Sequence, residues 1–242
     1  MITTQPTKSA QPKLHAYIAQ HSRYSRRKAE ELIREGRVRV NGLPATIGQR
    51  VSPESDQVTI DDRALTTSQH TWTILINKPT GYVSTTSDEL GRRTVIDFLR
   101  HHWREGAFPE RLYPVGRLDQ DSDGLMILTN DGVLTQQMTH PTFEVPKTYS
   151  VVVEGAPTER AVAHLEKGVK LKEGYTAPAT VELIKLGTES TLLITIHEGR
   201  KHQVKRMCER VGYPVLKLTR VQFGTHRLED LAGKPYKVLT KS

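Results

Sequence analysis

The stretch Val115-Gly116-Arg117-Leu118-Asp119-Gln120-Asp121-Ser122-Asp123-Gly124-Leu125-Met126-Ile127-Leu128-Thr129-Asn130-Asp131-Gly132 decides how this chain is read. Three alternating aspartates lead to Gly124, and the apolar run Leu125 to Leu128 follows as a short buried strand. Asn130, Asp131 and Gly132 close it as a turn. A polar loop rich in carboxylates and anchored to a buried strand is a frequent place for catalytic side chains. Asp119, Asp121, Asp123 and Gly124 also fit the opening of an EF-hand calcium loop. That fit then fails, because the ninth position is Ile127, the twelfth is Asn130 instead of a bidentate Glu, and Pro114 and Gly116 interrupt the helix that should enter the loop. Two readings of Asp119 remain at this point: a catalytic carboxylate, or a residue that hydrogen-bonds its own turn.

Charge points to an anionic partner. The 242 residues carry a formal net charge of +8, and the excess is concentrated. Lys13 to Leu43 holds 8 basic and 3 acidic residues, net +5, and His197 to Arg227 holds 8 basic and 2 acidic, net +6, whereas the remainder is net −3. Two basic foci on a slightly acidic background favour nucleic acid. No apolar run approaches the roughly 20 residues of a membrane span. Residues 1–12 are polar, without the apolar centre of a signal peptide, and are expected to form a disordered tail. The single cysteine, Cys208, excludes an intrachain disulfide and a cysteine-based zinc cluster. A cytoplasmic protein is expected.

Residues 13–60 predict a small α/β module. Leu14 to Gln20 and Arg26 to Glu35 have helical spacing, with Ser25 as cap and Gly36 as stop. Val38 and Val40 alternate with Arg37 and Arg39, and Asn41-Gly42 signals a hairpin. Arg26, Arg27, Lys28, Arg37 and Arg39 are the candidate phosphate contacts. This order of helices, strand and turn resembles the S4-type RNA-binding domain, named for a ribosomal protein. Residues 61–71 are expected to be a linker, and 72–242 a second, larger domain.

In that larger domain, Thr73 to Asn77 predicts a strand stopped by Lys78-Pro79 and Gly81. Thr94 can cap a helix from Val95 to about His102, with a variable loop expected over His101 to Leu112. Further helices are expected at Val133 to Thr139, Thr158 to Lys167 and His202 to Val211. In the last of these, Val204, Met207, Cys208 and Val211 form an apolar stripe, which assigns Cys208 to the core. Strands are expected from Lys147, over Val181 to Leu186, Thr191 to His197 and Val215 to Phe223. His197, Glu198 and His202 do not form a zinc-protease helix, because the histidines are five apart rather than four.

Gly116-Arg117-Leu118-Asp119, followed by Asp121-Ser122-Asp123-Gly124-Leu125, resembles the central motif of the pseudouridine synthases, and in particular the RsuA-type branch that modifies ribosomal RNA. Asn77-Lys78-Pro79 with Gly81-Tyr82, Lys147 with Tyr149, and Glu198-Gly199-Arg200-Lys201-His202-Gln203-Val204-Lys205-Arg206-Met207 match further motifs of that family in order. The resemblance implies an α+β fold: a mixed, largely antiparallel sheet flanked by helices, here with the small N-terminal domain. It implies an isomerase that converts a uridine in ribosomal RNA to pseudouridine, with no metal or other cofactor. Asp119 would be the essential carboxylate, as nucleophile or as base. Lys205 would pair with it, Tyr149 would stack on the flipped base, and Arg117 would help evict the uridine. Arg200, Lys201, His202, Gln203 and Arg206 would contact RNA, and Asp121 and Asp123 would hold the turn. The substrate would be ribosomal RNA or ribosomal assembly intermediates, met by a monomer. Gly91-Arg92-Arg93-Thr94-Val95 resembles the large-subunit enzymes more, and Gly199 to Lys205 the small-subunit enzyme; large-subunit RNA is favoured. The rival reading is a non-catalytic RNA-binding or ribosome-assembly protein, which would have no use for a carboxylate aimed at anionic RNA.

Overall fold

The computed structural model describes residues 11–65, 71–109 and 111–241, side chains of 240 and 241 excepted. The chain divides into two compact units, residues 1–70 and 71–242.

The first unit packs two helices on a small sheet. Helix α1 (Leu14–His21) and α2 (Arg26–Arg34) are followed by β1 (Val38–Val40), β2 (Leu43–Pro44), β3 (Val58–Ile60) and β4 (Arg63–Ala64), in sheet order β2-β1-β3-β4. The Ser25 hydroxyl accepts from Lys28 N at 3.1 Å, which satisfies one of the unpaired amides at the start of α2. Leu14, Ile18, Ala29, Leu32 and Ile33 meet Val38, Val40 and Val58 in one core. Asn41 (φ 53°) and Gly42 (φ 80°) are both left-handed, which gives the tight hairpin twist. The stretch expected to be a linker begins inside this unit, since Arg63–Ala64 pairs with β3 and Leu65 N donates to Val58 O. Most of the tail, residues 1–10, lies outside the described residues, but Gln11 donates to the Ser52 hydroxyl and Val51 N donates to Pro12 O.

The second unit is one nine-stranded sheet with helices and a two-stranded hairpin. In chain order it comprises β5 (Trp72–Lys78), α3 (Val95–His102), β6 (Tyr113–Val115), β7 (Asp123–Thr129), α4 (Gly132–Thr139), β8 (Lys147–Glu154), α5 (Glu159–Lys167), β9 (Lys170–Leu171), β10 (Gly174–Tyr175), β11 (Thr180–Lys185), β12 (Glu189–Ile196), α6 (Gln203–Arg210), β13 (Val215–Phe223), β14 (His226–Arg227) and β15 (Tyr236–Lys241). The sheet order is β11-β12-β8-β13-β7-β5-β15, with β6 beside β7 and β14 beside β13; β9 and β10 form the hairpin. Every pairing between two of these sheet strands is antiparallel except that of β13 with β7. The expected mixed, largely antiparallel sheet is therefore present.

β7 lacks alternation because both faces of it are covered. Met126 and Leu128 enter the core with Val95 and Leu99 of α3, whereas Leu125 and Ile127 pack with Phe223 and Leu231 on the other side. Burial of each such side chain contributes about 1.5–3 kcal/mol. Thr94 and Asp97 exchange capping bonds at 3.2 and 2.9 Å and start α3. The segment expected to be a variable loop supplies Trp103 and Leu112 to the main core, and Trp103 stacks on Tyr236 at 5.5 Å. Among the described residues no helix is long and apolar enough to cross a membrane.

Gly124 fixes where the two halves of the sheet meet. The parallel contact is confined to Thr219 with Asp123 and Arg220 with Gly124. Gly124 has φ +107°, and a Cβ there would lie 2.4 Å from Arg220 O and 2.7 Å from Arg220 N. Only glycine permits both that conformation and that approach.

Candidate active site

Asp119 sits in a turn just before β7, and the segment after β5 clamps that turn. The Asp119 carbonyl accepts from Ser122 N at 3.1 Å. Lys78 Nζ donates to the carbonyls of Ser122 (2.6 Å), Asp119 (3.0 Å) and Pro79 (3.1 Å). All three ammonium protons are thereby used in a side chain with no solvent exposure. Burial pushes the Lys78 pKa down to about 8, against the opposing pull of Asp123, Asp119 and Asp121. Gly81 N donates to Gln120 O at 2.7 Å. The Ser84 hydroxyl donates to Leu118 O at 2.6 Å and accepts from Leu118 N at 3.0 Å. The residues on either side of Asp119 are thus held, and its carboxylate is left projecting.

A histidine and a lysine face that carboxylate from the start of α6. His202 Nε2 lies 3.3 Å from Asp119 Oδ1, and Lys205 Nζ lies 3.6 Å from Oδ2. Lys205 is closer to Asp121, at 2.5 Å, and its hydrogen bond holds the Asp121 carboxyl below the usual carboxylate range. Asp121, expected only to hold the turn, therefore shares the lysine intended for Asp119. Asp123 faces Lys217 at 3.7 Å. His202 adopts φ 52°, a left-handed conformation that turns the chain into α6. The loop before it is braced by Gln203, whose amide oxygen accepts from Arg200 N (2.9 Å) while its Nε2 donates to Glu198 (2.7 Å).

Asp119, His202 and Gln203 line one cleft of about 560 Å³ together with Tyr149, Arg117, Lys147 and Arg220. Tyr149 on β8 lies directly across the strand pair from Arg220 on β13. Arg220 is 1% exposed, its Nε donates to Leu125 O at 2.7 Å, and its guanidinium carbon lies 4.7 Å from the Phe223 ring centre. Burial lowers the Arg220 pKa and the Tyr149 phenol opposes that fall. Lys147 is likewise lowered by burial and by Arg220. Cys208 is buried in α6, with its thiol pushed up to about 12.

The structure brings Asp119, Tyr149, His202, Lys201, Arg200 and Arg117 to this cleft, places Lys205 within 3.6 Å of Asp119 but outside the cleft lining, and leaves other expected contacts elsewhere. Gln203 lines the cleft but is 4% exposed, with its amide committed to the loop. Arg206 forks onto Glu173 at 2.6 and 3.2 Å and borders a separate groove with Lys170, Lys172 and Arg210. Arg200 is engaged by Glu198 at 3.1 Å and by the Gly174 carbonyl at 3.0 Å. In the first unit, Arg37 binds Asp61 through two bonds, Lys28 binds Glu31, and Arg39 faces Asp62 at 3.7 Å. Arg26 and Arg27 are exposed and have no ion pair among the described residues.

Sequence reasoning missed Lys78, Ser84, Lys147 and Arg220 as parts of the cleft and its support. Two of these had a readable signal. Lys78 keeps the parity of Trp72, Ile74 and Ile76 along β5, and Arg220 keeps that of Leu218 along β13, so each belongs to a buried face. Among the described residues no group of three or more His, Cys, Asp or Glu side chains is placed to hold a metal ion.

Residues 72–210 match the family model for RNA pseudouridylate synthase. The chain belongs to the RNA pseudouridylate synthase family. Residues 13–58 match the S4 domain. The chain is 41% identical over 223 residues to "Ribosomal large subunit pseudouridine synthase B" of Bacillus subtilis (strain 168), which covers 90% of this chain and 88% of that protein. It is 41% identical over 182 residues to "Ribosomal large subunit pseudouridine synthase E" of Vibrio vulnificus (strain CMCP6), covering 69% and 74%. A crystal structure of a pseudouridylate synthase matches with TM-score 0.66 at 30% identity, covering 94% of this chain and 96% of that one. The family's sheet, the S4 domain and the cleft beside Asp119 thus occur together in a single chain.

Proposed function

We propose that this synthase converts a defined uridine of large-subunit ribosomal RNA to pseudouridine, with Asp119 as the catalytic carboxylate. The observation that carries the reading is the placement of Asp119: its turn is fixed by Lys78 and Ser84, while its carboxylate faces His202 and Lys205 in a cleft that Tyr149 also lines. A carboxylate so placed suits either attack on C1′ of the ribose or abstraction of a sugar proton. A paired base is out of reach of such a cleft, so the uridine is flipped, with Tyr149 against the base and Arg117 at the exposed rim. The names of the relatives support large-subunit RNA over small-subunit RNA. The substrate pool is then ribosomal RNA or ribosomal assembly intermediates in the cytoplasm, met by a single copy of the chain.

The test is pseudouridine mapping of ribosomal and transfer RNA from cells with and without the gene. One modification missing from large-subunit RNA is expected. Loss from small-subunit RNA alone would overturn the substrate, and loss from transfer RNA alone would overturn the ribosomal reading. No change at all would favour a non-catalytic RNA-binding role.

A further inference from the structure

Arg220 is a buried cation that the roles assigned so far leave unexplained. It is 1% exposed, yet no carboxylate stands within ion-pairing distance of it among the described residues. Its Nε is bonded to Leu125 O, while its Nη2 is buried without a hydrogen-bond partner. A second cation, Lys147, stands beside it, and both lie over the Phe223 ring, at 5.5 and 4.7 Å. Positive charge buried without a counter-charge is unfavourable unless something anionic or strongly polar arrives. Both side chains line the cleft that holds Asp119, and Arg220 is directly across from Tyr149.

We propose that Arg220, assisted by Lys147, is a further catalytic residue that donates Nη2 to a carbonyl oxygen of the target uracil and stabilises the base as an anion. The inference rests on the pseudouridine synthase reading of the same cleft. Breaking the C1′–N1 bond sends both bonding electrons to the base, leaving a uracil anion with charge shared among N1, O2 and O4. At the sugar, C1′ either bonds to an Asp119 carboxylate oxygen or the C2′ proton passes to that carboxylate. Bond formation between C5 and C1′ then reverses the step at the sugar, C5 releases its proton and N1 takes one up, so the product is an isomer. The detached base must be retained and turned before it rejoins. A guanidinium fixed by Leu125 O and Phe223 is already oriented where that charge develops.

The experiment compares leaving groups in single-turnover reactions of the full chain. Large- and small-subunit rRNA transcripts are made with UTP or with 5-fluoro-UTP, whose expelled base is the more stable anion. Arg220→Gln is expected to slow uridine conversion about 100-fold, as loss of one preorganised donor does, but loss of 5-fluorouridine by less than about 10-fold. Arg220→Lys should fall between Arg220→Gln and wild type on uridine. Equal slowing on both transcripts would mark Arg220 as a structural residue and overturn the proposal. If Arg220→Gln does not fold by thermal melting, Arg220→Lys and Lys147→Met decide by the same unequal or equal slowing. A wild-type chain that makes no pseudouridine in either rRNA refutes the proposed function, and this inference with it; wild-type activity with equal slowing refutes the inference alone.

Discussion

Replacing Lys78 by methionine separates the strength of its hydrogen bonds from the cost of burying its charge. Methionine has similar length but no donor, so the carbonyls of Pro79 and Ser122 lose the bonds at 3.1 and 2.6 Å, while the Asp119 carbonyl keeps Ser122 N. Two buried acceptors left without a donor cost about 2–6 kcal/mol together. Against this, the fall of the Lys78 pKa from 10.5 to about 8 represents roughly 3 kcal/mol of unfavourable burial of the charged form. A net destabilisation of about 1 kcal/mol at pH 7 is expected. The pH dependence is the sharper test. Between pH 8 and 10.5 the unfolded chain still binds the proton that the folded chain has released, so wild-type stability from this group rises with pH. The variant lacks that gain, and its deficit should widen toward roughly 4 kcal/mol near pH 10.5. Urea titrations followed by tryptophan fluorescence report on this unit alone, because both tryptophans, Trp72 and Trp103, are buried in it. The difference between the two proteins cancels the other groups that titrate in this range. A deficit that stays constant or shrinks from pH 7 to 10 would show that Lys78 is not held as a costly buried ammonium.

Asp119→Asn should abolish pseudouridine formation while leaving RNA affinity and melting temperature near wild type; turnover by the purified variant would remove Asp119 from the catalytic role. Gly124→Ala should destabilise the catalytic unit by about 3 kcal/mol or more, since its Cβ would overlap the Arg220 backbone at a left-handed φ; a variant within about 1 kcal/mol of wild type in denaturant would show that the junction can relax. The double substitution Arg26→Ala, Arg27→Ala should flatten the slope of log affinity against log salt by about 1–2, because each lost phosphate contact removes roughly 0.7–0.9. An unchanged slope would move the RNA-binding face of the S4 domain elsewhere.

The sequence carried the site's chemistry better than its mechanics. That Asp119 would meet Lys205 and share a cleft with Tyr149 was legible because a carboxylate, a phenol and a lysine stood in motifs of fixed order. Charge counts, however, cannot see partners: Arg37, Arg206 and Arg200 were expected to meet phosphate and are each held by a carboxylate of their own unit. Gln203 was placed at the RNA surface although it lies one turn from Met207 on the buried stripe of α6. Lys78 was read with Pro79 as the stop of the strand, whereas it is the last residue of β5 and keeps the inward parity of Trp72, Ile74 and Ile76. The residues after α3 carry few periodic signals, so the packing of Trp103 and Leu112 emerged only with the sheet in place.

The pairing of β5 with β15 has a consequence for how the molecule is made. Trp72 lies opposite Lys241, so the first strand of the catalytic unit to leave the ribosome borders one of the last. Until synthesis reaches that point, one side of β5 presents unpaired amides and carbonyls to any passing chain, a template for aggregation. Loss of the C-terminal strand, by truncation or by premature termination, should therefore yield insoluble protein rather than a soluble, weaker enzyme.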